Sequence, residues 1–222
     1  PPEERGKPEN RLLEGLAAEM CGRFRDAAEA CAAAEAMPDE KSRVEALLCQ
    51  GRVWMQLKDF KLSAQKFREA HELAPRDPST ALSLMDALVT LNDGPGLLRL
   101  TKKILASDPG DAAAQLYLGI ALEMTSRRDE ADAAFAKLMN NDAVPAYLEA
   151  AAFDRRGLLW AKVTPERARE ILEQCRKRFP SYGCPRTEVA ISPPDPRHPN
   201  RKIHNVTRPG RYGTAPLPQP PP

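Results

Sequence analysis

The sequence predicts an all-α fold: a right-handed α-solenoid of about five helical hairpins, followed by an extended, proline-rich C-terminal tail. The first observation is that residues of one type recur at a spacing of 34 residues or its double: Pro75 and Pro109, Gly51 and Gly119, Phe67 and Phe135. The second is that apolar residues inside each interval follow helical spacing. The third is that 12 of the 22 prolines fall between Pro180 and Pro222. A period of 34 is the length of one helix–turn–helix unit.

The chain divides accordingly into a short linker, a helical body and a tail. We expect the linker at 1–9, the body at 10–182 and the tail at 183–222. Within the body the predicted units are 10–41, 44–77, 78–111, 112–145 and 146–182. The two outer units are the most degenerate, as terminal units of a repeat array commonly are.

The second unit carries the pattern most clearly. Two amphipathic stretches flank Lys58-Asp59, the first with Gly51 and Trp54 and the second with Phe67. Gly51 permits close packing of the two helices, and Pro75 follows the second helix as a stop signal.

This unit resembles the tetratricopeptide repeat (TPR) family, in which small, bulky and aromatic residues and a closing proline recur in a set order. The residues that carry the resemblance are Gly51, Trp54, Phe60, Ser63, Phe67, Ala70 and Pro75. The resemblance covers roughly three-quarters of the chain and implies a protein-binding module whose first helices line a concave face. The architecture alone is also similar to TPR pilotin-type envelope lipoproteins.

Transfer of the family's register predicts a partner-binding groove. The predicted groove residues are Leu48, Arg52, Met55, Leu82, Asp86, Val89, Leu116, Ile120, Glu123, Met124, Phe153 and Trp160. Most of these are apolar, whereas TPR domains that hold a terminal carboxylate present Lys, Arg and Asn there. We therefore expect the groove to bind an apolar or amphipathic protein segment.

The sequence offers no motif for chemistry. It contains no histidine–glutamate zinc motif, no phosphate-binding glycine loop and no nucleophile elbow, and its three histidines have no metal-ligand spacing. We expect no enzymatic activity, no cofactor, no metal and no small-molecule substrate. The sequence has no run of 18 or more apolar residues, so we expect no membrane span. The missing initiator methionine suggests a processed or trimmed product.

The five cysteines leave the compartment open. Cys31 and Cys175 fall at core positions of the repeat, where a free cysteine packs well. Cys175 and Cys184 are nine residues apart, so a disulfide between them could attach the tail to the last helix in an oxidising compartment.

The tail is basic. From Arg186 onward it has six Lys or Arg residues and two acids, whereas the preceding body has 27 and 29. It could be a solvated coil, an arm that lies on a partner subunit or along this chain's own last helix, or a contact with nucleic acid or an anionic membrane surface. The candidate contact residues are Arg197, Arg201, Lys202, Arg208, Arg211 and Tyr212.

Together these features predict a TPR adaptor that supports assembly of a multiprotein complex, with a bacterial periplasmic or outer-membrane setting slightly favoured over cytoplasm or organelle. The alternative is a structural subunit of a ribonucleoprotein or organellar complex, anchored through its basic arm. Salt-sensitive RNA binding that is lost on deletion of the residues after Arg186 would favour the alternative.

Overall fold

The computed structural model describes residues 8–180 together with Cys184 and Thr187, and in these residues the chain forms ten α-helices and no β-strand. The all-α prediction is confirmed. The helices are α1 (Pro8–Met20), α2 (Phe24–Ala33), α3 (Glu40–Gln56), α4 (Phe60–Leu73), α5 (Pro78–Thr90), α6 (Gly94–Ser107), α7 (Ala112–Met124), α8 (Arg128–Ala136), α9 (Ala146–Ala161) and α10 (Pro165–Arg178).

The structure describes α1 from Pro8 onward, and the first residues of this helix fall within the predicted linker, 1–9.

Four of the five helix pairs are joined by the same three-residue turn. Its middle residue has a left-handed backbone, with φ of 73° at Gly22, 65° at Lys58, 59° at Asn92 and 62° at Ser126. In the second hairpin the Lys58 N–H donates to the carbonyl of Met55, and the following N–H donates to the carbonyl five residues back. These two hydrogen bonds end one helix and reverse the chain into the next.

Aspartates set the starts of several helices. The side chains of four aspartates each accept a backbone N–H bond two or three residues later, and so cap α3, α4, α5 and α7: Asp39, Asp59, Asp77 and Asp111. Such caps satisfy N–H groups that have no partner inside the helix.

The repeated Gly and Phe positions meet inside their hairpins. A Cβ atom on Gly51 would lie 2.4 Å from the Phe67 ring, and one on Gly119 would lie 2.4 Å from the Phe135 ring. Both rings are buried. The 68-residue spacing therefore reflects a packing rule: a missing side chain on the first helix makes room for an aromatic ring on the second.

The third hairpin reverses this order of sizes. Met85 occupies the small position and Thr101 the large one, and both are buried. A larger residue at the first position is thus accompanied by a smaller one at the second, which is compatible with close packing.

The chain divides into two compact units, one through Thr101 and one from Lys102, so the boundary lies inside α6. In the first unit α1 contacts α3, and α3 contacts α5. In the second unit α9 contacts α7, α8 and α10. Within each unit, the first helices of successive hairpins therefore lie beside one another.

Candidate partner-binding surface

The predicted groove residues divide by exposure into two equal groups. Six of the twelve are at most 9% exposed: Leu48, Val89, Leu116, Ile120, Phe153 and Trp160. A buried side chain offers no surface to a ligand, so the structure corrects the prediction for these six. They belong to the core.

The reason for this correction is the character of the first helices. From Ala112 to Met124, α7 carries only Gln115 and Glu123 as strongly polar residues. A helix that is apolar on nearly every side is enclosed on nearly every side. In α9, 11 of the 16 residues are buried. The register transferred from the family assumed that each of these helices keeps one open face.

The accessible group contains four residues on neighbouring helices of the first unit. Arg52 and Met55 lie on α3, and Leu82 and Asp86 lie on α5, where Asp86 stands one 34-residue period after Arg52. Leu82 is 41% exposed, and the other three are half-buried. We call these four residues the α3–α5 face. The remaining two accessible residues, Glu123 and Met124, lie at the end of α7.

Arg52 is held by an acid that sequence reasoning missed. Its Nε atom donates to Glu19 Oε1 at 2.9 Å, and its Nη2 atom donates to Glu19 Oε2 at 2.9 Å. This bidentate geometry is the strong form of an ion pair. Glu19 lies on α1, 36 residues before Met55. That spacing gives Glu19 the register position in α1 that Met55 has in α3, so the repeat pattern could have identified Glu19 as a groove residue.

A related pair occurs in the second unit. Arg155 Nη1 on α9 lies 3.4 Å from Glu123 Oε2 on α7. Glu19 and Glu123 each stand two residues before the turn that ends their helix. In both units an acid near the end of one first helix therefore contacts an arginine on the next first helix.

Trp160 belongs to a polar cluster centred on Asp132, which the sequence did not predict. The Trp160 indole Nε1 donates to Asp132 Oδ1 at 2.6 Å, and Arg156 donates to both carboxylate oxygens at 2.7 and 3.0 Å. Arg167 donates to Oδ2 at 2.8 Å, and its guanidinium lies 4.0 Å from the indole centroid. The cluster joins α8, α9 and α10.

The surroundings of Asp132 favour its ionised form. Burial by itself would raise the pKa of this carboxyl, but the hydrogen bonds from Arg156 and Trp160 and the charges of Arg156 and Arg167 outweigh that effect. The pKa of Asp132 therefore lies below its usual value.

The structure contains two disulfides. The possible bond between Cys175 and Cys184 is present, with Cα atoms 6.3 Å apart. A second bond joins Cys31 to Cys49, with Cα atoms 6.2 Å apart. Cys31 and Cys175 are both buried, as their repeat positions predicted, but the expectation of free thiols at these positions is wrong. Cys21 is an exposed free cysteine.

Beyond Pro180, the two described residues, Cys184 and Thr187, are packed against α9. The backbone N–H of Thr187 donates to Asp154 Oδ1 at 3.0 Å, and its hydroxyl donates to the Asp154 carbonyl at 2.9 Å. A Cβ atom on Gly157 would lie 2.4 Å from the Thr187 side chain. Cys184 and Thr187 are both fully buried. They close one side of the last hairpin, and Gly157 makes the close approach possible.

The predicted tail contacts all lie outside the described residues: Arg197, Arg201, Lys202, Arg208, Arg211 and Tyr212. Where the structure describes the chain, it contains no group of three or more His, Cys, Asp or Glu side chains arranged to hold a metal ion. None of the described helices has the combined length and apolar character that a membrane crossing requires.

A cavity of about 490 Å³ lies in the second unit, beside the start of α9. Its charged lining groups are Asp142, Glu149 and Arg178. Arg178 donates to Glu149 at 3.3 Å and also to Asp142. Because the charges engage one another, the cavity has the character of a structural ion-pair site.

Comparison with known proteins identifies the architecture. No protein-family model and no curated protein matches the chain. Among solved structures, it is similar to YrrB, described as a TPR protein with an unusual peptide-binding site, at 19% identity over 85% of this chain and 93% of YrrB, with a TM-score of 0.60.

Two further structures show the same likeness. MamA from Desulfovibrio magneticus RS-1 has 17% identity over 78% of this chain and 96% of that chain, with a TM-score of 0.63. TTC0263, a thermophilic TPR protein in Thermus thermophilus, has 19% identity over 83% and 99%, with a TM-score of 0.57. These matches do not show the similarity to pilotin-type lipoproteins. The repeated turns, the Gly–Phe packing and these structures agree on one assignment: the chain has the tetratricopeptide repeat fold.

Proposed function

We propose that this protein is a non-catalytic TPR adaptor that binds an apolar or amphipathic segment of a protein partner and thereby supports assembly of a multiprotein complex. The observation that carries the proposal is the exposure of Leu82, which is 41% accessible on a helix whose other large apolar residues are mostly buried. Covering a leucine at that position with a partner removes apolar surface from water, which favours binding.

The neighbours of Leu82 support an apolar ligand with some polar character. Met55 has a flexible side chain that adapts to irregular partners, and Asp86 adds one acidic group at the edge. Arg52 is engaged by Glu19 through two hydrogen bonds, so a terminal carboxylate would have to compete with Glu19. The α3–α5 face is therefore better suited to an amphipathic helix or extended segment than to a charged chain end.

The similarity to YrrB supports a peptide as the ligand, since that protein is described as having a peptide-binding site. The two disulfides support an oxidising compartment, where such bonds form and persist. A bacterial periplasmic or outer-membrane-associated assembly protein, of the kind represented by pilotin-type lipoproteins, would meet both conditions.

The proposal is tested by Leu82→Glu, with Val163→Glu as a matched control because Val163 is also exposed, at 50%, but belongs to the second unit and is not part of the α3–α5 face. An array of amphipathic peptides is screened with the full chain, and the best ligand is then titrated against each variant. We expect Leu82→Glu to weaken binding at least about tenfold, which corresponds to ~1.4 kcal/mol. Val163→Glu should leave the affinity unchanged.

Equal affinity of wild type and Leu82→Glu would remove the α3–α5 face from the function. Thermal unfolding of each variant provides the folding control. Leu116→Glu is unsuitable for this experiment, since Leu116 is fully buried and a charge there would unfold the hairpin.

A further inference from the structure

An apolar stripe on α1 is open to solvent. Leu13 is 65% exposed and Met20 is 89% exposed, and Ala17 between them is also exposed. These three residues follow the spacing of one helix face. We call them the α1 stripe.

Two of these positions are buried in other hairpins. The position four residues before the first residue of each turn is Ala17 in α1. In α3, α5 and α7 the same position is held by Val53, Ala87 and Ala121, and all three are buried. Counting back eight residues gives Leu13 in α1. Its counterparts Cys49 and Tyr117 are buried, and Ser83 is half-buried.

The structure shows what covers these positions in α3. Val53 packs in a cluster with Ala27 and Ala28 of α2, and Cys49 is bonded to Cys31 of α2. The preceding hairpin therefore covers the first helix of the next one. The α1 stripe includes the same positions on the first helix of the first hairpin, but in α1 no described residue covers them.

We propose that the α1 stripe is a self-association surface, occupied by the same stripe of a second copy of this chain. Stacking of a second copy onto the last hairpin is not open, because Cys184 and Thr187 already cover α9 there and the Cys175–Cys184 bond holds them. Two copies then meet through identical surfaces, as in a two-fold dimer.

The order of side-chain sizes along the stripe favours an antiparallel crossing. A small residue, Ala17, stands between two large ones, Leu13 and Met20. When two such helices cross at Ala17, each Leu13 lies opposite Met20 of the second copy, and the small residues permit close approach. The contact is small compared with the ~800 Å² per partner of a stable interface, so the dimer is weak and concentration-dependent.

The crossing places the exposed thiols at a defined distance. Cys21 is four residues from Ala17, or about 6 Å along the helix at ~1.5 Å per residue, so the two Cys21 residues of a dimer stand about 12 Å apart along the helices. That separation exceeds the Cα distance that a disulfide allows. Cys21 itself should therefore form no bond across the dimer, whereas a cysteine at position 17 should.

The experiment uses the full chain with Cys21→Ser, examined by sedimentation velocity from micromolar to several hundred micromolar concentrations. We expect the weight-average mass to rise toward twice the chain mass. Adding Leu13→Glu and Met20→Glu should raise the dissociation constant at least tenfold without changing thermal unfolding. A mass that stays monomeric throughout, or a dimer that survives both glutamates, would overturn the proposal.

A second measurement tests the register. Ala17→Cys and Ala33→Cys are compared in the Cys21→Ser background under mild oxidation, because Ala33 is also exposed but lies on α2. Ala17→Cys should give disulfide-linked dimer and Ala33→Cys should not. Equal cross-linking of the two variants would exclude the crossing. Binding of a different protein to the stripe of a monomeric chain would likewise refute self-association.

Discussion

At the scale of single residues, the middle position of four of the five hairpin turns adopts the left-handed backbone region, which residues with a Cβ atom seldom favour. Gly22 adopts the left-handed region without a steric penalty, but Lys58, Asn92 and Ser126 adopt it with a Cβ atom. The left-handed region costs a non-glycine residue roughly 1–2 kcal/mol. The hydrogen bonds that close the turn hold these residues there despite that cost.

Replacing Lys58 with glycine should therefore stabilise the protein. We expect Lys58→Gly to raise the free energy of unfolding by about 0.5–1 kcal/mol, since the steric penalty disappears while the added chain entropy of glycine offsets part of the gain. Urea unfolding followed by circular dichroism measures the change. Arg68→Gly is the matched control: this exposed residue in α4 should instead cost about 1 kcal/mol.

A destabilised Lys58→Gly variant would contradict this account of the turn. Sequence patterns identified the turn position at Lys58 because polar residues interrupt the apolar spacing there. They did not identify the shared left-handed geometry at Ser126, since serine carries no special preference for that region. The conformation comes from the hydrogen-bonded helix end and not from the residue type.

At the scale of helices, Asp132 links three elements through one carboxylate. Arg156 and Trp160 come from α9 and Arg167 comes from α10, whereas Asp132 lies on α8. The carboxylate side chain is only 13% exposed. Removing one partner of such an enclosed charge group leaves the remaining charges buried without an opposite charge. This lowers the free energy of unfolding.

We expect Asp132→Asn to lower the free energy of unfolding by about 3 kcal/mol at neutral pH, because the shape is kept while the charge is lost. Since the folded pKa of Asp132 is lowered, its stabilising contribution is complete above the unfolded pKa of about 3.9. It is lost as the pH falls through the folded value. The difference between wild type and variant should thus be constant at neutral pH and shrink in acid.

Urea titrations of both proteins at several pH values measure this difference. Glu173→Gln is a suitable control, because Glu173 forms an exposed pair with Lys177 on one helix, and such a pair contributes at most about 0.5 kcal/mol. A pH-independent difference between wild type and Asp132→Asn would show that packing around position 132, and not the carboxylate charge, stabilises the three helices.

The Asp132 cluster also shows where sequence reasoning stops. Its arginines lie 24 and 35 residues from Asp132 in the chain, and no repeat position in the other hairpins has the same chemistry. The period predicts which helices are neighbours. It does not predict the rotation of α9, which determines that Trp160 faces Asp132 and not a groove.

At the scale of the molecule, the features that repeat were predictable and those that occur once were not. Gly51 and Phe67 recur at a spacing of 68 residues, and this regularity predicted the all-α TPR fold. The groove prediction was wrong at Leu116 and Phe153 because α7 and α9 are enclosed on nearly all sides. Exposure depends on the whole environment of a helix, and a register taken from one repeat contains only part of it.

The cysteines allow the molecule to be tested as a whole. The structure predicts one reactive thiol, Cys21, in the unreduced protein under denaturing conditions, and five after reduction. The two bonds close loops of 18 and 9 residues, and removal of each should cost about 3 kcal/mol by the loop-entropy relation. Reduction should accordingly lower the unfolding midpoint clearly, whereas Cys21→Ser should leave it unchanged and abolish the single reactive thiol. Detection of five thiols before reduction would show that the chain is reduced in its native setting and would remove the support for an oxidising compartment.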